Sequence, residues 1–208
     1  FFFTTSYLST QQATDKQLPA NTGVMVSAID FPLRRIDSKD AQEKKFAQQL
    51  ENWKKVTNNI YIWDYINNFD DYLTPFPILK IAQQRLQFFK KNGASGIFFN
   101  GSGYSYSSFD EMRTFVLSAL LINPEQAVDD LIRNYFNQEY PVSKKWLSDY
   151  YIDLENSTQS GKKLGLYAGI RESEGTYLNP EKFIKFYDEM GDFVSDANGK
   201  ANATEFLL

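Results

Sequence analysis

Four short runs of apolar and aromatic residues recur along the first hundred positions. They are Phe1 to Tyr7, Gly23 to Ile29, Ile60 to Trp63 and Gly96 to Phe99, and polar residues close each of them. Continuous apolar runs of this length, rich in β-branched and aromatic residues, are typical of strands in the interior of a parallel sheet. We therefore expect four buried strands.

Between and after these runs, apolar residues recur at the spacing of amphipathic helices. The first helix is predicted from about Asp40 to Val56, with Asp37 or Ser38 as its N-cap. The second runs from Ile78 to Lys91. Further helices are predicted from Phe109 to Leu121 behind a Ser108 cap, from Pro124 to the break at Pro141, from Ser143 to Asn156, and from Pro180 to about Ala197.

The order of these elements indicates an α/β protein. Strands that are joined by helical crossovers pair in parallel and connect with a right-handed turn. The order fits the C-terminal half of a (β/α)8 TIM-type barrel followed by a helical segment better than it fits a doubly wound sheet. We expect residues 1–122 to form the partial barrel and residues 123–208 a helical extension packed on it. Because residue 1 is Phe1 and both termini lie in apolar stretches, we also expect a fragment of a longer protein.

Polar residues follow each predicted strand at its carboxyl end. They include Thr5 to Tyr7, Asp30, Asp64 and Asn100. Since the carboxyl ends of parallel strands share one edge of a sheet, these side chains are expected to lie together. Asp30 and Asp64 could act there as acid and base, or one of them could orient a substrate amide. The alternative is that Asp30 caps a turn and Asp64 binds a loop amide.

Aromatic residues surround the third of these ends. Trp63 and Tyr65 flank Asp64, and the loop from residue 67 to residue 72 mixes aromatic side chains with Asn and Asp. Aromatic rings suit the apolar faces of sugars, and carboxylates and amides suit their hydroxyls. The alternative is an ordinary loop whose aromatic side chains fold into the core. The predicted substrate-binding residues are Trp63, Tyr65, Asp30, Asn67, Asn100 and Tyr104, with Asp64 as the candidate catalytic carboxylate.

Composition removes several classes of function. The net charge of −4 argues against nucleic-acid binding, because phosphates need a basic surface. The absence of cysteine excludes disulfides and thiolate metal sites, and the absence of histidine excludes Ser-His-Asp catalysis and zinc sites with His ligands within the chain. No glycine-rich nucleotide-binding motif is present. We expect neither a metal nor a cofactor, and the remaining chemistry is that of carboxylates, Tyr, Lys and hydroxyls.

The segment from Ile60 to Tyr65 resembles part of a domain that is common in gut and environmental Bacteroidetes. That domain was long of unknown function and is grouped with glycoside hydrolases that act as endo-β-N-acetylglucosaminidases on complex N-glycans. The resemblance covers most of the chain, and the stretch up to Pro77 is its most specific part. It extends through Asn68-Phe69, Tyr72-Leu73, Pro75-Phe76-Pro77, Gln87-Phe88-Phe89, Asn92-Gly93, Gly96-Ile97-Phe98, Leu120 to Pro124, Phe136, Tyr140, Leu147 to Tyr150, and Tyr177-Leu178.

The resemblance implies a (β/α)8 barrel of which this chain is the C-terminal half plus the following helices. It also implies carboxylate-assisted hydrolysis in which the substrate acetamido group attacks, with the main acid expected before Phe1. The chain departs from the family at Phe99, where Glu is usual, and at Ile122, where Trp is usual. Expected partners are a glycan substrate and other outer-membrane glycan-utilisation proteins, in the periplasm or at the cell surface. The alternative on the same scaffold is a non-catalytic glycan-binding protein or a structural module of a surface glycan-utilisation complex.

Overall fold

The structure is a computed structural model that describes residues 1–37, 39–101, 107–158 and 162–195, with side chains up to residue 192. Four strands form one sheet in the order β1-β2-β3-β4, and every neighbouring pair is parallel. The α/β class and the parallel pairing are therefore confirmed. The strands are β1 (Phe2–Ser6), β2 (Thr22–Ser27), β3 (Ile60–Tyr65) and β4 (Gly96–Asn100), and the helices are α1 (Ala41–Lys54), α2 (Leu79–Lys91), α3 (Asp110–Ile122), α4 (Val128–Glu139), α5 (Lys144–Asn156), α6 (Ile170–Glu174) and α7 (Pro180–Ser195).

One face of the sheet is covered by α1 and α2. Because side chains alternate between the two faces of a strand, every second residue of β2 and β3 points to this layer. The contacts are apolar and almost fully buried, and burial of each large side chain contributes about 1.5–3 kcal/mol. The set contains Val24, Val26, Ile60 and Ile62 from the strands, Phe46, Leu50 and Trp53 from α1, and Phe89 from α2.

The opposite face of the sheet is open. Among the described residues no helix joins a core on this side. Phe3 and Phe98 are 49% and 52% exposed there, and Tyr61 and Trp63 are partly exposed. The sheet therefore presents aromatic side chains on a face that no described helix covers.

The two edge strands differ from expectation. Burial was predicted for all four strands, but Phe2 in β1 is 69% exposed, and no residue of β4 is buried. In the described part of the chain, β1 and β4 each pair with one neighbour, so their outer edges and one face have no protein cover. Only the central strands β2 and β3 match the prediction.

Several helix starts also differ from expectation. Asp40, rather than Asp37, caps α1, since its side chain accepts a hydrogen bond from the backbone N–H of Gln42 at 2.7 Å. Ser38, the other predicted cap, lies outside the described residues. The predicted Ser108 cap is wrong, because Phe109 occupies the N-cap position of α3 in a left-handed conformation with φ 56°. The structure also contains the short α6, which was not predicted.

The helix that was predicted from Pro124 begins at Val128 instead. The intervening residues form a turn in which the side chain of Asn123 accepts a hydrogen bond from the backbone N–H of Glu125 at 3.1 Å. Side chains of α4, α5 and α7 share one core with α2 and α3, and the division of the chain at residue 123 stays a prediction. Within the described ranges, no helix combines the length and hydropathy that crossing a membrane would require.

Candidate functional site

Asp64 lies on the helix-covered face of the sheet, directly after Ile60 and Ile62 in the alternation of β3. Its side chain is fully buried, and Arg85 from α2 binds both of its oxygens. The backbone N–H of Tyr65 donates to the same carboxylate at 2.8 Å. Asp64 therefore has no route to a substrate, and the sequence-based interpretation of it as a catalytic carboxylate is replaced by a structural role that includes the loop-amide contact.

Arg85 extends this structural role to the loop that follows β2. Its Nη1 group donates to the backbone carbonyls of Phe31 and Pro32, each at 2.9 Å. Its guanidinium carbon also lies 4.5 Å from the centre of the Phe31 ring, within the range of a cation–π contact. The buried pair thus fixes the loop that carries Asp30.

Asn67 is also buried, although it was predicted to contact a substrate. Only 1% of its surface is exposed, and its side-chain oxygen accepts a hydrogen bond from Arg113 at 3.2 Å. Its neighbour Asn68 pairs with Ala168 through both its amide and its carbonyl groups. This contact joins positions 100 residues apart and holds the segment that contains Tyr167 against the end of β3.

Aromatic rings contact one another in a continuous row at the carboxyl ends of the strands, and their exposure ranges from 5% for Tyr65 to 64% for Tyr167. Trp63 is at its centre, with ring-centroid distances of 6.0 Å to Tyr7, 5.7 Å to Tyr65 and 6.3 Å to Phe98. Phe69 continues the row from Tyr65 at 6.1 Å to Tyr167 at 5.9 Å. We call this set the aromatic shelf: Tyr7, Trp63, Tyr65, Phe69, Phe98 and Tyr167.

Two polar groups of the aromatic shelf differ in how they are satisfied. The Tyr65 hydroxyl bonds to Ser27, and burial raises the pKa of Tyr65 above its ordinary value although the Ser27 hydrogen bond opposes this shift. Trp63 Nε1 is buried without a hydrogen-bond partner among the described residues. A buried donor without a partner is energetically costly.

Asp30 lines a polar cleft between the carboxyl end of β2 and α1. Its carboxylate is exposed and accepts a hydrogen bond from the side-chain amide of Gln11 at 2.7 Å. The cleft has a volume of about 600 Å³ and includes Ser27, whose hydroxyl also reaches Tyr65. We call it the Asp30 cleft, and its other polar lining residues are Gln42, Lys45, Gln49 and Lys163.

Asn100 ends β4 opposite Tyr65 in the strand register. Its backbone carbonyl accepts a hydrogen bond from the N–H of Ile66 at 3.0 Å, and the residue lines a cavity of about 400 Å³ between β4 and α3. Tyr104 lies outside the described residues. Asp30, Trp63, Tyr65 and Asn100 thus lie at or just beyond the carboxyl ends of neighbouring strands, with Asp30 and Asn100 lining separate cavities. Asp64 and Asn67 are buried below them.

The sequence analysis missed two residues of this region. Gln11 reaches Asp30 from a short 3-10 turn, and Tyr167 joins the shelf only through the pairing of Asn68 with Ala168. No local pattern marks either residue. Among the described residues no cluster of three or more acidic side chains is arranged to hold a metal ion.

Comparison with known proteins identifies the family but no individual relative. A family model described as Domain of unknown function (DUF4838) matches residues 1–151, a range that contains the whole sheet and reaches into α5. Comparison with curated proteins found no match. Comparison with solved structures found none either.

Proposed function

This chain belongs to the DUF4838 family, and we propose that it is a carbohydrate-active protein, a glycoside hydrolase or a close relative. Its substrates would be glycans that contain N-acetylglucosamine. The aromatic shelf is the observation that carries this proposal. Sugar rings have flat apolar faces that pack on aromatic side chains, and the hydroxyls at their edges need polar partners. The shelf offers the aromatic side chains, and the Asp30 cleft offers the polar partners.

The proposal includes a barrel architecture for the sheet. The strands follow one another in sequence order, and α1 and α2 pack on the same face. A doubly wound sheet would have helices on both faces, whereas a (β/α)8 barrel has helices outside and an open inner face that further strands enclose. We therefore propose that this sheet is half of such a barrel, with the shelf at its active-site end.

Asp30 is the carboxylate on which the hydrolytic proposal relies. It is exposed, it lies at the carboxyl end of β2, and Gln11 orients it by a hydrogen bond. A single carboxylate can accept a hydrogen bond from the N–H of a substrate acetamido group and so hold the acetamido oxygen for attack. Hydrolysis also requires an acid for the leaving group, and the family resemblance assigns that residue to the region before Phe1.

A non-catalytic glycan-binding protein is the second candidate. The burial of Asp64 against Arg85 favours it, because that pair removes one of the two predicted carboxylates from the site. On either reading the proposed partners are the glycan and other outer-membrane glycan-utilisation proteins. The proposed location is the periplasm or the cell surface.

Glycan release and glycan binding separate the two functions. The protein is incubated with a glycoprotein that carries complex N-glycans, and released glycans are measured by mass spectrometry, while binding of the free glycan is measured by calorimetry. Hydrolysis predicts release that Asp30→Asn reduces and that Asp188→Asn, an exposed control on α7, leaves unchanged. Binding without release supports the non-catalytic function.

The Trp63→Ala variant tests the site itself. It should lose glycan binding and keep the helical circular-dichroism signal, because the Trp63 ring lies on the open face and outside the helix-side core. Absence of glycan binding by the unmodified protein, or full affinity in the Trp63→Ala variant, would reject the glycan site.

A further inference from the structure

A further cavity lies among the helices, where α4, α5 and α7 meet the start of α3. Its volume of about 430 Å³ is within the range of small-molecule sites. It shares no described lining residue with the Asp30 cleft, contains no ring of the aromatic shelf, and has only Asp110 in common with the cavity beside β4. We call it the helix cavity, and the side chains that characterise it are those of Phe109, Glu111, Tyr135, Phe136, Phe186 and Met190.

Aromatic rings from two helices line the helix cavity. Tyr135 and Phe136 come from α4, with ring centroids 5.5 Å apart, and Phe183 and Phe186 come from α7. Phe109, at the start of α3, connects the two groups, because its ring centroid lies 6.2 Å from that of Phe136 and 6.3 Å from that of Phe186. The negative faces of aromatic rings attract cations. The lining of this cavity is therefore suited to a ligand with an apolar body and a positive charge.

Two carboxylates at the helix cavity add to this preference. Glu111 accepts a hydrogen bond from the Tyr135 hydroxyl at 3.2 Å, and Asp110 accepts one from the Ser107 hydroxyl at 2.8 Å. Among the described residues neither acid forms an ion pair, and no lysine or arginine lines the cavity. Both acids lie in the first turn of α3, where the helix contributes only about half a positive charge. Two negative charges exceed it, so the cavity favours a cation.

The hydrogen bond between Tyr135 and Glu111 holds the carboxylate next to the aromatic rings of α4. Burial raises the pKa of Tyr135 well above its ordinary value, and the negative charge of Glu111 adds to this shift. Tyr135 therefore stays a phenol near neutral pH and donates its proton to the hydrogen bond with Glu111. An ionised carboxylate has about four acceptor sites on its two oxygens, and Tyr135 uses one of them. Glu111 thus keeps acceptor sites for an ammonium group.

We propose that the helix cavity binds a small organic amine in its protonated form. The apolar body of the amine lies among the aromatic rings, and its ammonium group pairs with Glu111 and Asp110. A neutral ligand of the same shape would leave both carboxylates without a counter-ion, and an anion would be repelled by them. The inference does not rest on the proposed glycan function, because the helix cavity and the aromatic shelf have no residue in common.

Calorimetric titration of the full chain with phenylethylamine, phenylethanol and phenylpropionate at neutral pH tests the inference. The three probes share an aromatic ring and carry a positive charge, no charge and a negative charge. The amine should bind at least tenfold more tightly than the alcohol, and phenylpropionate should bind most weakly. Equal affinities for the amine and the alcohol would overturn the proposal. So would the absence of binding by all three probes, which is the result expected if another part of the protein fills the cavity.

The Glu111→Gln variant tests the role of the charge. Gln removes the negative charge and keeps a side-chain oxygen that can accept the hydrogen bond from Tyr135. Binding of phenylethylamine should weaken about tenfold, whereas binding of phenylethanol should not change, and a purely structural role of Glu111 would not produce this difference. The control is Glu181→Gln, an exposed residue of α7 outside the cavity lining, which should leave both affinities unchanged. Unchanged amine affinity in Glu111→Gln would reject the site.

A second variant tests the cavity without removing either carboxylate. Met190→Lys adds an ammonium group on a flexible side chain at a partly buried position of the cavity, where it can pair with the acids in place of the ligand. It should abolish binding of phenylethylamine, whereas Ile184→Lys, at a 58% exposed position of α7 outside the cavity lining, should leave it unchanged. Amine binding that is the same in Met190→Lys as in the parent protein would refute the inference, whatever the outcome of the glycan experiments.

Discussion

Arg85 and Asp64 form a two-point ion pair inside the layer between the sheet and α2, where neither side chain is more than 1% exposed. Arg85 Nε lies 2.9 Å from Asp64 Oδ2, and Nη2 binds Oδ1. The same guanidinium holds the carbonyls of Phe31 and Pro32. Asp64, which the sequence indicated as a catalytic residue, therefore helps to fix the loop that carries Asp30.

Removal of one partner of this pair should be strongly destabilising. Asp64→Asn leaves the Arg85 charge buried without a counter-ion, and we expect a loss of about 3–5 kcal/mol in the free energy of unfolding. Urea denaturation measures it. The control is Asp149→Asn, which breaks an exposed pair with Lys145 and should change stability by less than about 1 kcal/mol. Similar losses in both variants would contradict the assigned role of Asp64.

The sequence predicted the strands well because apolar runs mark them, but it could not show which face of the sheet is open. Asp30 and Asp64 give the same signal, an acid at the end of a strand. Asp64 belongs to the alternation that begins at Ile60, so it points to the helices, whereas Asp30 lies beyond the end of β2 and reaches solvent. Arg85, the partner of Asp64, is 21 residues away on α2, and no local pattern indicates the pairing.

The aromatic shelf was predictable only in part, for a related reason. Trp63 and Tyr65 lie at a strand end, which the sequence identifies. Tyr167 depends on the contact between Asn68 and Ala168, which joins the ends of a segment of 100 residues. The exposure of β1 and β4 was missed because an apolar run predicts a strand and does not specify how many neighbours the strand has.

Tyr167 should contribute to glycan binding without contributing to stability. It is 64% exposed, and its ring lies 5.9 Å from that of Phe69 at the end of the shelf. Loss of one aromatic contact of about 0.5–1.5 kcal/mol corresponds to a roughly twofold to tenfold weaker affinity for Tyr167→Ala. Calorimetry with the free glycan measures this change. Tyr187→Ala, a 58% exposed tyrosine on α7, is the matched control and should bind normally; equal effects of both variants would count against the shelf.

Glu155 should make the protein less stable as the pH rises from acid to neutral. This fully buried residue of α5 accepts hydrogen bonds from the backbone N–H groups of Leu79 and Lys80 at the start of α2. Burial raises its pKa from 4.5 to about 7, although these hydrogen bonds and the charges of Arg35 and Lys80 oppose the shift. The folded state therefore binds the proton more tightly than the unfolded state, and its advantage is complete below pH 4.5 and lost as the pH passes 7.

Comparison of the parent protein with Glu155→Gln isolates this contribution, because Gln cannot ionise. The stability of the parent relative to the variant should fall by up to about 3 kcal/mol between pH 4.5 and pH 7.5, as measured by urea denaturation at several pH values. The exposed control Glu139→Gln should show no such trend. A relative stability that is constant or rises with pH would contradict the raised pKa.

The same substitution should have opposite effects at two glycines. A Cβ atom at Gly23, within β2, would lie 2.9 Å from the backbone carbonyl oxygen of Asn59 and 3.1 Å from the ring of Phe3. Neither the sheet backbone nor the neighbouring strand can move away freely, so Gly23→Ala should cost about 1–3 kcal/mol. At Gly191, within α7, a Cβ atom would have no neighbour within 4 Å, and Gly191→Ala should stabilise the helix by about 0.5–1 kcal/mol. Urea denaturation of both variants measures the two signs, and a Gly23→Ala protein as stable as the parent would show that β1, β2 and the residues before β3 do not pack in this register.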